Sequence, residues 1–515
     1  MSRPEILIVG AGPTGLVLAL WLARVGAPFR IIDRNPGPGT ASRAMAVQAR
    51  TLEFYRQLGF ADEVVAAGFK LERLHLRDRS RELAVVRLGE IGTGISPFPF
   101  VLSFPQDEHE RTLIGRLQAA GLSVEWQTEL TGFEQREDGV SAVLRKPGGD
   151  EVWQGAYLCG CDGAHSTVRH GLGIGFPGGT YDQHFFVADT EAEGPWSDRD
   201  FTAYLAERTF CLGFPVRERG MFRFIGLVPE ALGDRDDLTF DHLRGEVEQV
   251  TGLRVTRTNW FSHYRVHHRV AEHFRKGRIF LCGDAGHVHS PAGGQGMNTG
   301  IGDAVNLAWK LASVLDGRAD PALLDSYEAE RVPFARSLVR TTDRIFEAIV
   351  GRGLSSRMVR SVVAPFVLPL ALRFAATRRA QFRLVSQVRI AYRESPLSDG
   401  SAGGVHAGDR LPWVEGADNF APLAALGWQV HVHGAASPAL REFAAAAELP
   451  LHEWPWTPAA RRAGLEPDAT YLVRPDGYVG FARPRPDLPA LRAYLSRLGI
   501  VDGSGQRRRG VRPAS

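Results

Sequence analysis

The sequence predicts an α/β protein with several domains, and three observations support this prediction. The chain has 515 residues, which at roughly 150 residues per domain corresponds to about three domains. Its beginning alternates an apolar run, a glycine-rich turn, a helical pattern and a second apolar run, as in a β-α-β unit. From about residue 181 to residue 261, short β-rich stretches alternate with turns, which indicates a mainly antiparallel sheet.

The elements of the first domain follow from the spacing of apolar residues. The pattern predicts a strand, a helix, a strand and two further helices at residues 5–9, 14–25, 29–32, 51–58 and 108–120. A buried-strand pattern returns at residues 278–282, and residues 298–315 have one apolar helical face. We therefore expect a Rossmann-type domain that resumes after an inserted β domain.

A second boundary is predicted near residues 395–408, where glycine and proline cluster. Beyond it, the pattern predicts a strand, a helix, two strands and a helix at residues 428–432, 439–447, 470–473, 477–481 and 488–498. The arginine-containing tail from residue 503 is predicted to be disordered.

Composition excludes several classes of protein. Apolar residues make up 44% and charged residues 23% of the chain, which is ordinary for a globular protein. The 61 basic and 58 acidic residues leave a net charge of +3, so we expect no nucleic-acid partner. Four cysteines are too few for a disulfide framework, which favours a reducing, cytoplasmic compartment. The apolar stretch 6–23 contains three glycines and a proline, so we expect no signal peptide and no membrane partner.

The turn between the first strand and the first helix reads Gly-Ala-Gly-Pro-Thr-Gly. Gly10 permits a tight turn, Gly12 lets the backbone approach a pyrophosphate, and Gly15 allows the helix to pack closely on the strand. Pro13 and Thr14 begin the helix, and a helix N-terminus attracts phosphate groups. This arrangement predicts a dinucleotide site.

Asp33 narrows the choice of dinucleotide. It ends the second strand, where a carboxylate can accept hydrogen bonds from both ribose hydroxyls. The adjacent Arg34 is a further expected contact. Because the carboxylate disfavours a 2′-phosphate, the pattern predicts FAD or NAD rather than NADP at this site.

Two later motifs carry a resemblance to a known family. The first reads CDGAHSTVR at residues 161–169, and the second reads GDAGH at 283–287 followed by PAGGQGMN at 291–298. With the first glycine turn, they resemble the class A flavoprotein aromatic hydroxylases, single-component monooxygenases related to p-hydroxybenzoate and phenol hydroxylase. The resemblance extends from residue 5 to about residue 345.

The resemblance implies a tightly but non-covalently bound FAD, with roles for the residues at matching positions. Asp284 would bind the ribityl hydroxyls, the carbonyl of Pro291 would face the reacting edge of the ring, and Asp162 and Arg169 would contact FAD and the nicotinamide. Backbone N–H groups near the start of the helix predicted at residues 298–315 would stabilise the anionic reduced flavin. The other expected cofactor contacts are Arg43, Gln106, Gly294, Gly296, Met297 and Asn298.

The reaction that the resemblance implies is hydroxylation of a small phenolic or polyketide-type aromatic substrate. NADPH or NADH would act as a transient reductant, O2 as the oxidant, and a C4a-hydroperoxyflavin as the oxygen donor. Baeyer–Villiger or epoxidising oxygenation of a polycyclic substrate remains an alternative on the same scaffold. A non-catalytic flavin-binding protein is the second alternative, against which the intact segment 291–297 argues.

The inserted β domain would cover the substrate. Its expected pocket aromatics are Tyr204, Phe214, Phe222 and Phe224. Alternate residues of a strand face opposite sides of the sheet, so about half of such aromatics are expected to belong to a core instead. Tyr264 resembles a pocket tyrosine of the phenol hydroxylase branch and is the candidate catalytic side chain. Met45 stands where phenol hydroxylase has an aspartate, so the sequence identifies no catalytic base.

The expected domains follow from the resemblance. They are a FAD-binding domain at 1–178, with about 74–100 as a candidate part of the next domain, a substrate-binding β domain at 179–272, a second FAD-binding part with helices at 273–394, a thioredoxin-like domain at 405–502 and a tail at 503–515. Residues 395–515 contain no cysteine, so dithiol chemistry is excluded and packing or dimerisation is the expected role. A homodimer is left open.

His287 and His289 lack a third ligand, so we expect no metal.

Overall fold

The structure is a computed structural model that describes most of the chain. The described residues are 5–39, 44–78, 81–89, 91–194, 200–205, 210–216, 220–233, 235, 237–290, 294–351, 353, 356, 358–371 and 374–500. Within these ranges, no helix combines the length and the apolar character that crossing a bilayer requires. The predicted tail at 503–515 lies outside them.

The elements of the first part of the chain alternate strands and helices. In chain order they are β1 (Ile6–Val9), α1 (Pro13–Val25), β2 (Phe29–Ile32), β3 (Ala46–Val47), α2 (Ala49–Gln57), α3 (Ala61–Ala67), β4 (Phe69–Lys70), β5 (Arg73–Asp78), β6 (Arg81–Arg87), β7 (Leu102–Ser103), α4 (Gln106–Ala119), β8 (Glu129–Gln135), β9 (Val140–Lys146) and β10 (Gly149–Gly155).

The middle of the chain contains the longest strands and helices. Its elements are β11 (Tyr157–Gly160), α5 (Thr167–Gly171), β12 (Gly178–Glu193), β13 (Asp200–Leu205), β14 (Phe210–Pro215), β15 (Met221–Leu227), α6 (Asp241–Thr251), β16 (Arg254–Val270), β17 (Arg275–Lys276), β18 (Ile279–Leu281), β19 (His287–Val288), α7 (Gly296–Leu315) and α8 (Asp325–Val350).

The last part begins with a π-helical segment at Val359–Val367. It continues with α9 (Leu368–Ala371), α10 (Ala375–Val385), β20 (Asp399–Ala402), β21 (Val405–His406), β22 (Gln429–His433), α11 (Pro438–Ala446), β23 (Leu451–Trp454), α12 (Pro458–Arg462), β24 (Thr470–Val473), β25 (Val479–Arg483) and α13 (Leu488–Arg497).

A five-stranded sheet forms the centre of the first domain, in the order β17-β18-β11-β1-β2. The strands β18, β11, β1 and β2 run parallel, and β1 is buried along its whole length. Burial on both faces explains why β1 is a continuous apolar run rather than an alternating one. The helix α1 packs closely on α7, and it ends at Gly26, whose φ of 77° closes the helix in the left-handed conformation.

An eight-stranded, mainly antiparallel sheet forms the second layer, in the order β19-β16-β12-β15-β14-β13-β5-β6. The strands β5 and β6 come from the region 74–100 that the sequence left as a candidate part of this domain, and β5 joins β13 in parallel. The edge strand β19 pairs with the end of β16. Because β19 directly follows the turn at residues 283–286, the second sheet is joined to the first domain at that turn.

The two faces of this sheet differ. One face, called the back face, packs on α6 through the core of Phe186, Tyr204, Phe222, Phe224, Leu243 and Val247. The opposite face, called the front face, carries Val187, Phe214, Ile225 and Tyr264, and these residues pack with Met45 of the first domain.

The C-terminal sheet has the order β21-β20-β25-β24-β22-β23. Two of its parts differ from the sequence prediction. The expected boundary at 395–408 contains β20 and β21, which pair with each other and, through β20, with β25. The strand β23 was not predicted, because its four residues do not alternate clearly, and it pairs in parallel with β22.

Candidate functional site

The first glycine turn is held by close contacts between backbones. Gly10 has a φ of +104°, and a Cβ atom there would lie 2.3 Å from the carbonyl oxygen of Cys161. A Cβ atom on Gly15 would lie 2.0 Å from the carbonyl oxygen of Gly10. At Gly12, by contrast, a Cβ atom would meet no described residue within 4 Å. The turn is therefore packed tightly on one side and open in front of Gly12.

Asp33 fixes the same turn from the next strand. Its Oδ2 accepts a hydrogen bond from the Ala11 N–H at 2.8 Å, and its Oδ1 accepts one from the Asn35 N–H at 2.9 Å. The side chain is half-buried, and the adjacent Arg34 is exposed. Asp33 thus ties the end of β2 to the first glycine turn through the backbone of Ala11.

Thr14 brings the first turn against the turn at residues 283–286. A Cβ atom on Gly283, whose φ is +62°, would lie 2.6 Å from the Thr14 Oγ1. A Cβ atom on Gly300 of α7 would lie 2.3 Å from the same oxygen. Only glycine fits at both positions, so the starts of α1 and α7 meet at Thr14. The exposed side chain of Asp284 follows immediately.

Asp162 and Arg169 join the third turn to this group. The Asp162 Oδ2 accepts a hydrogen bond from the Val168 N–H at 3.1 Å, while its buried Oδ1 has no hydrogen-bond partner among the described residues. Arg169 is buried and donates to the carbonyl oxygens of Ala285 at 3.0 Å and Ala164 at 2.9 Å. Burial raises the pKa of Asp162 and lowers that of Arg169. Arg169 therefore ties two motif loops together.

The start of α7 is organised by Asn298. Its Oδ1 accepts hydrogen bonds from the Gln48 N–H at 2.9 Å and the Thr51 hydroxyl at 2.8 Å. Its Nδ2 donates to the carbonyl oxygens of Ala46 at 2.8 Å and Gly294 at 3.0 Å. These four hydrogen bonds occupy the side-chain amide of Asn298. The group of Asn298 that a ligand can reach is therefore its backbone N–H.

The N-termini of α1 and α7 are available to an anion. Within the described residues, no side chain caps α1 or α7 by a hydrogen bond, and neither helix has an acidic residue in its first turn. Gly296 and Met297, in that first turn of α7, are half-buried. Uncapped N–H groups and the helix dipole favour negative charge at these two points.

Gln106 and Glu110 hydrogen-bond to Ala44 and Gly39, which flank the segment 40–43. The Gln106 Oε1 accepts a hydrogen bond from the Ala44 N–H at 3.2 Å, and its Nε2 donates to Glu110 at 2.9 Å. Glu110 also accepts from the Gly39 N–H at 3.2 Å, and burial raises its pKa. Arg43 itself and Pro291 lie outside the described residues.

The structure separates the predicted pocket aromatics by face. Phe214 and Tyr264 lie on the front face, and Tyr264 stacks on Phe185 with the ring centroids 6.2 Å apart. Tyr204, Phe222 and Phe224 are buried on the back face against α6. This corrects the prediction for these three residues, because they alternate along their strands with the front-face residues and therefore point away from Met45.

The front face also carries polar residues that the sequence did not single out. Arg223 donates from Nε and Nη2 to the carboxylate of Asp189 at 2.6 and 2.7 Å, and both side chains are buried. Arg223 lies opposite Phe214 in one neighbouring strand, and Asp189 lies opposite Trp260 in another. Alternate residues of a strand share one face, so Arg223 and Asp189 could have been assigned to the face of Phe214 had the pairing of the strands been known.

The two histidines of the GDAGH region have separate partners. His287 Nε2 donates to the buried carboxylate of Asp303 at 2.7 Å. His289 donates from Nδ1 to the Ser290 carbonyl oxygen at 2.8 Å, and burial lowers its pKa to about 4. A search of the described residues finds no group of three metal-ligating side chains.

FAD fits this arrangement on three counts. The open space at Gly12 and the uncapped start of α1 suit a pyrophosphate. The unpartnered Oδ1 of Asp162 and the exposed carboxylate of Asp284 supply acceptors for hydroxyl groups. The start of α7, which Asn298 ties to residues 46, 48 and 51, has no side-chain cap among the described residues and suits negative charge. The fold and the site are those of a dinucleotide-binding flavoprotein.

Comparison with known proteins assigns the family. The model of the FAD binding domain family matches residues 3–342, and the chain belongs to this family. It is similar to 6-methylpretetramide 4-monooxygenase of Streptomyces rimosus, with 35% identity over 97% of this chain and 94% of that protein. It is also similar to dialkyldecalin synthase of Streptomyces rugosporus, with 37% identity over 63% of this chain and 69% of that protein.

A solved structure extends the similarity over the whole fold. The anhydrotetracycline hydroxylase OxyS from Streptomyces rimosus superposes with a TM-score of 0.77 and 30% identity, covering 96% of this chain and 99% of that one. The expected α/β fold with a FAD-binding domain is thereby confirmed. The chain is a FAD-dependent monooxygenase of the class A aromatic hydroxylase type, which uses FAD, NAD(P)H and O2.

Proposed function

We propose that this chain hydroxylates a polycyclic phenolic substrate of the polyketide type. The observation that carries the proposal is the position of β19. This strand leaves the turn that contains Asp284 and is hydrogen-bonded into the eight-stranded sheet. We infer that the motif loops and the aromatic front face border one space, because Met45 packs on that face and the neighbouring Ala46 is hydrogen-bonded to Asn298 at the start of α7. The monooxygenase and hydroxylase relatives that cover nearly the whole chain support the same reading.

FAD, when bound, supplies reduction by NAD(P)H and activation of O2. In our proposal the N–H groups at the start of α1 hold the pyrophosphate, Asp33 the ribose and Asp284 the ribityl chain. The proposed set also retains the other predicted contacts, some of which act by holding loops, namely Gly10, Gly12, Pro13, Thr14, Gly15, Arg34, Arg43, Gln106, Asp162, Arg169, Pro291, Gly294, Gly296, Met297 and Asn298.

The start of α7 has a separate proposed role. Its free N–H groups and its dipole favour negative charge on the bound cofactor in the reduced state. Asn298 contributes by fixing the first turn of α7 to residues 46, 48 and 51 rather than by its own side-chain donors. This arrangement costs no reorganisation when the charge appears, because the donors are already in place.

The front face supplies the proposed substrate wall. Phe214, Trp260 and Tyr264 offer flat apolar surface against Met45, and such surface excludes water from the reacting atoms. Asp189 is held by Arg223, so it is not available as a general base. A substrate whose phenolic hydroxyl ionises near neutral pH needs no dedicated base, and we propose a substrate of this kind.

The domain roles belong to the same proposal. The eight-stranded sheet acts as the substrate domain, with β5 and β6 joining the segment 179–272. The C-terminal unit is thioredoxin-like and starts at β20 rather than at residue 405, because β20 pairs with β25. Its order of β22, α11 and β23, followed by the antiparallel pair β24 and β25 and by α13, supports that description. A cytoplasmic location and a homodimer stay predictions.

The reaction can be tested on the purified holoprotein. NADPH and NADH oxidation would be measured under 18O2 with simple phenols, quinones and anhydrotetracycline as probes. We expect a substrate that stimulates oxidation and gains one labelled hydroxyl oxygen. A labelled lactone or epoxide would identify the alternative oxygenations. Flavin reduction that no probe stimulates, with no labelled product, would contradict a hydroxylase and favour a flavoprotein without oxygen transfer.

The pocket can be tested with two alanine variants of phenylalanines on opposite faces. Phe224→Ala empties part of the back core and should cost about 3–5 kcal/mol of unfolding free energy, with little change in KM of the folded enzyme. Phe214→Ala should cost less stability but raise KM and increase peroxide release. Equal KM values in the two variants would place the substrate elsewhere.

A further inference from the structure

The carboxylate of Asp303, in α7, connects the turn that precedes Asp284 to the helix that follows it. Its Oδ2 accepts a hydrogen bond from the backbone N–H of Gly283 at 2.9 Å and another from His287 Nε2 at 2.7 Å. Its Oδ1 accepts from Arg331 Nε at 2.6 Å. One side chain therefore contacts the backbone beside the proposed ribityl ligand, the strand after it and the helix α8.

Arg331 carries the connection on to the start of α7. Its Nη2 donates to the carbonyl oxygen of Thr299 at 3.1 Å, in the first turns of that helix, and its Nη1 donates to the Tyr392 hydroxyl at 2.6 Å. A Cβ atom on Gly302 would lie only 3.3 Å from the guanidinium, so a glycine lets Arg331 lie against α7. The same guanidinium thus holds both Asp303 and the helix end that faces the cofactor space.

Burial excludes direct contact of this group with a substrate. Asp303, His287 and Arg331 are all at most 1% exposed, so none of them can reach a substrate. Burial alone would raise the pKa of Asp303, but the Arg331 guanidinium and the His287 N–H lower it below its ordinary value. The carboxylate is therefore charged, and Arg331 balances that charge.

We propose that Asp303 is a positioning residue for the flavin. It sets the backbone of Gly283 and Asp284 relative to the start of α7, and its charge neutralises Arg331 next to that helix end. This inference rests on the proposed placement of FAD. Among buried ion pairs, those that only stabilise a fold are often replaceable by apolar residues, whereas this one contacts the backbone on both sides of the cofactor space.

The test uses Asp303→Asn and two readouts that need no substrate. The first readout is the dissociation constant for FAD after reconstitution of the apoprotein, and the second is the midpoint potential of the bound flavin. We expect FAD to bind at least tenfold more weakly, because the Gly283 turn loses its fixed acceptor. We also expect a more positive potential, because the charge of Arg331 is no longer balanced. The double variant D303N/R331Q should restore the potential but not the affinity.

A matched control is Asp476→Asn, which changes an equally buried carboxylate paired with Arg474. Asp476 contacts α7 through Trp309, which lies six residues beyond Asp303, or about 9 Å along the helix. The control should lower thermal stability without changing FAD affinity or potential. A purely structural role for Asp303 predicts the same behaviour for both variants.

Three results would overturn the proposal. They are wild-type FAD affinity in Asp303→Asn, an unchanged potential in the FAD that it retains, and an equal shift of potential in Asp476→Asn. If Asp303→Asn does not fold, His287→Phe removes one donor to Asp303 and keeps the carboxylate itself, and unchanged FAD affinity in that variant would contradict the proposal. Failure of the hydroxylation assay leaves these readouts intact, so the two proposals fail separately.

Discussion

The motif loops and the junction between α7 and the C-terminal domain both bury polar groups, but they satisfy them differently. At the junction, Glu330 accepts hydrogen bonds from Arg474, Lys310 and Ser395, all at 3.0 Å or less. In the motif loops, the buried Oδ1 of Asp162 has no partner among the described residues, and the space before Gly12 is open. Complete pairing indicates a structural role, and incomplete pairing indicates a place for a ligand.

The substitution Gly10→Ala should have the largest effect. The new Cβ atom would lie 2.3 Å from the Cys161 carbonyl oxygen, at a φ of +104°. We expect a loss of more than about 3 kcal/mol of unfolding free energy, measured by thermal denaturation and flavin content. The matched control is Gly115→Ala in α4, where a Cβ atom would meet no other described part of the chain within 4 Å and alanine should stabilise the fold by about 0.5–1 kcal/mol. Equal stabilities would show that the turn is not packed as described.

Glu330→Gln tests the fully paired region. Removing its charge leaves Arg474 and Lys310 without their shared carboxylate in a buried site, which should cost about 3–5 kcal/mol of unfolding free energy. FAD affinity of the folded fraction should stay unchanged. The exposed Glu134, paired with Arg136, provides the control, since Glu134→Gln should change stability by less than about 1 kcal/mol. A selective loss of FAD in Glu330→Gln would remove the distinction between the two regions.

Gly12→Ala tests the incompletely filled region. A methyl group there meets no atom of the described residues within 4 Å, so the unfolding free energy of the apoprotein should stay within about 0.5 kcal/mol of the wild type. The same methyl group occupies the space proposed for the pyrophosphate, and FAD should bind roughly tenfold or more weakly, equivalent to about 1.4 kcal/mol. Titration of the apoprotein with FAD measures the difference. Unchanged FAD affinity would place the phosphates elsewhere.

A further expected effect concerns the pH dependence of stability in the C-terminal domain. Burial lowers the pKa of His433 to about 4 and that of His431 well below its ordinary value. The folded state therefore binds fewer protons than the unfolded state below about pH 6.5, and stability should fall as the pH drops from there towards 4. The slope should approach about 1.4 kcal/mol per pH unit for each histidine.

His433→Phe provides the check on this assignment. The ring of His433 stacks on Trp454 with the centroids 5.1 Å apart, and phenylalanine can keep that contact. Urea denaturation at pH 7, 6 and 5 should show a shallower loss of stability in the variant. A slope equal to that of the wild type would mean that other groups, such as the carboxylates, carry the pH dependence.

Local patterns predicted much of the first domain. The apolar runs and the glycine turn between them predict the bounds of β1, α1 and β2 to within one or two residues. The start of α7 was predicted at residue 298 and lies at residue 296. These elements could be found because strand burial and helix starts depend on residues close in sequence.

Other features depended on distant partners. The roles of Asp303 and Arg331 depend on a contact between residues far apart in sequence, and neither residue stands out in its own helix. The strands β20 and β21 occur in a glycine-rich segment because β25 offers an edge for pairing. The face on which Phe214 and Phe224 lie required the register of the sheet.

The sequence by itself determined the β-α-β unit, the order of the three motifs and thereby the cofactor class. Each of these features depends on interactions between residues that are close in the sequence. The tertiary structure decided which aromatics face Met45, which buried charges are balanced and how the motif loops contact one another. Those outcomes depend on packing between segments hundreds of residues apart, where a side chain's burial and charge are set by its partners rather than by its own type.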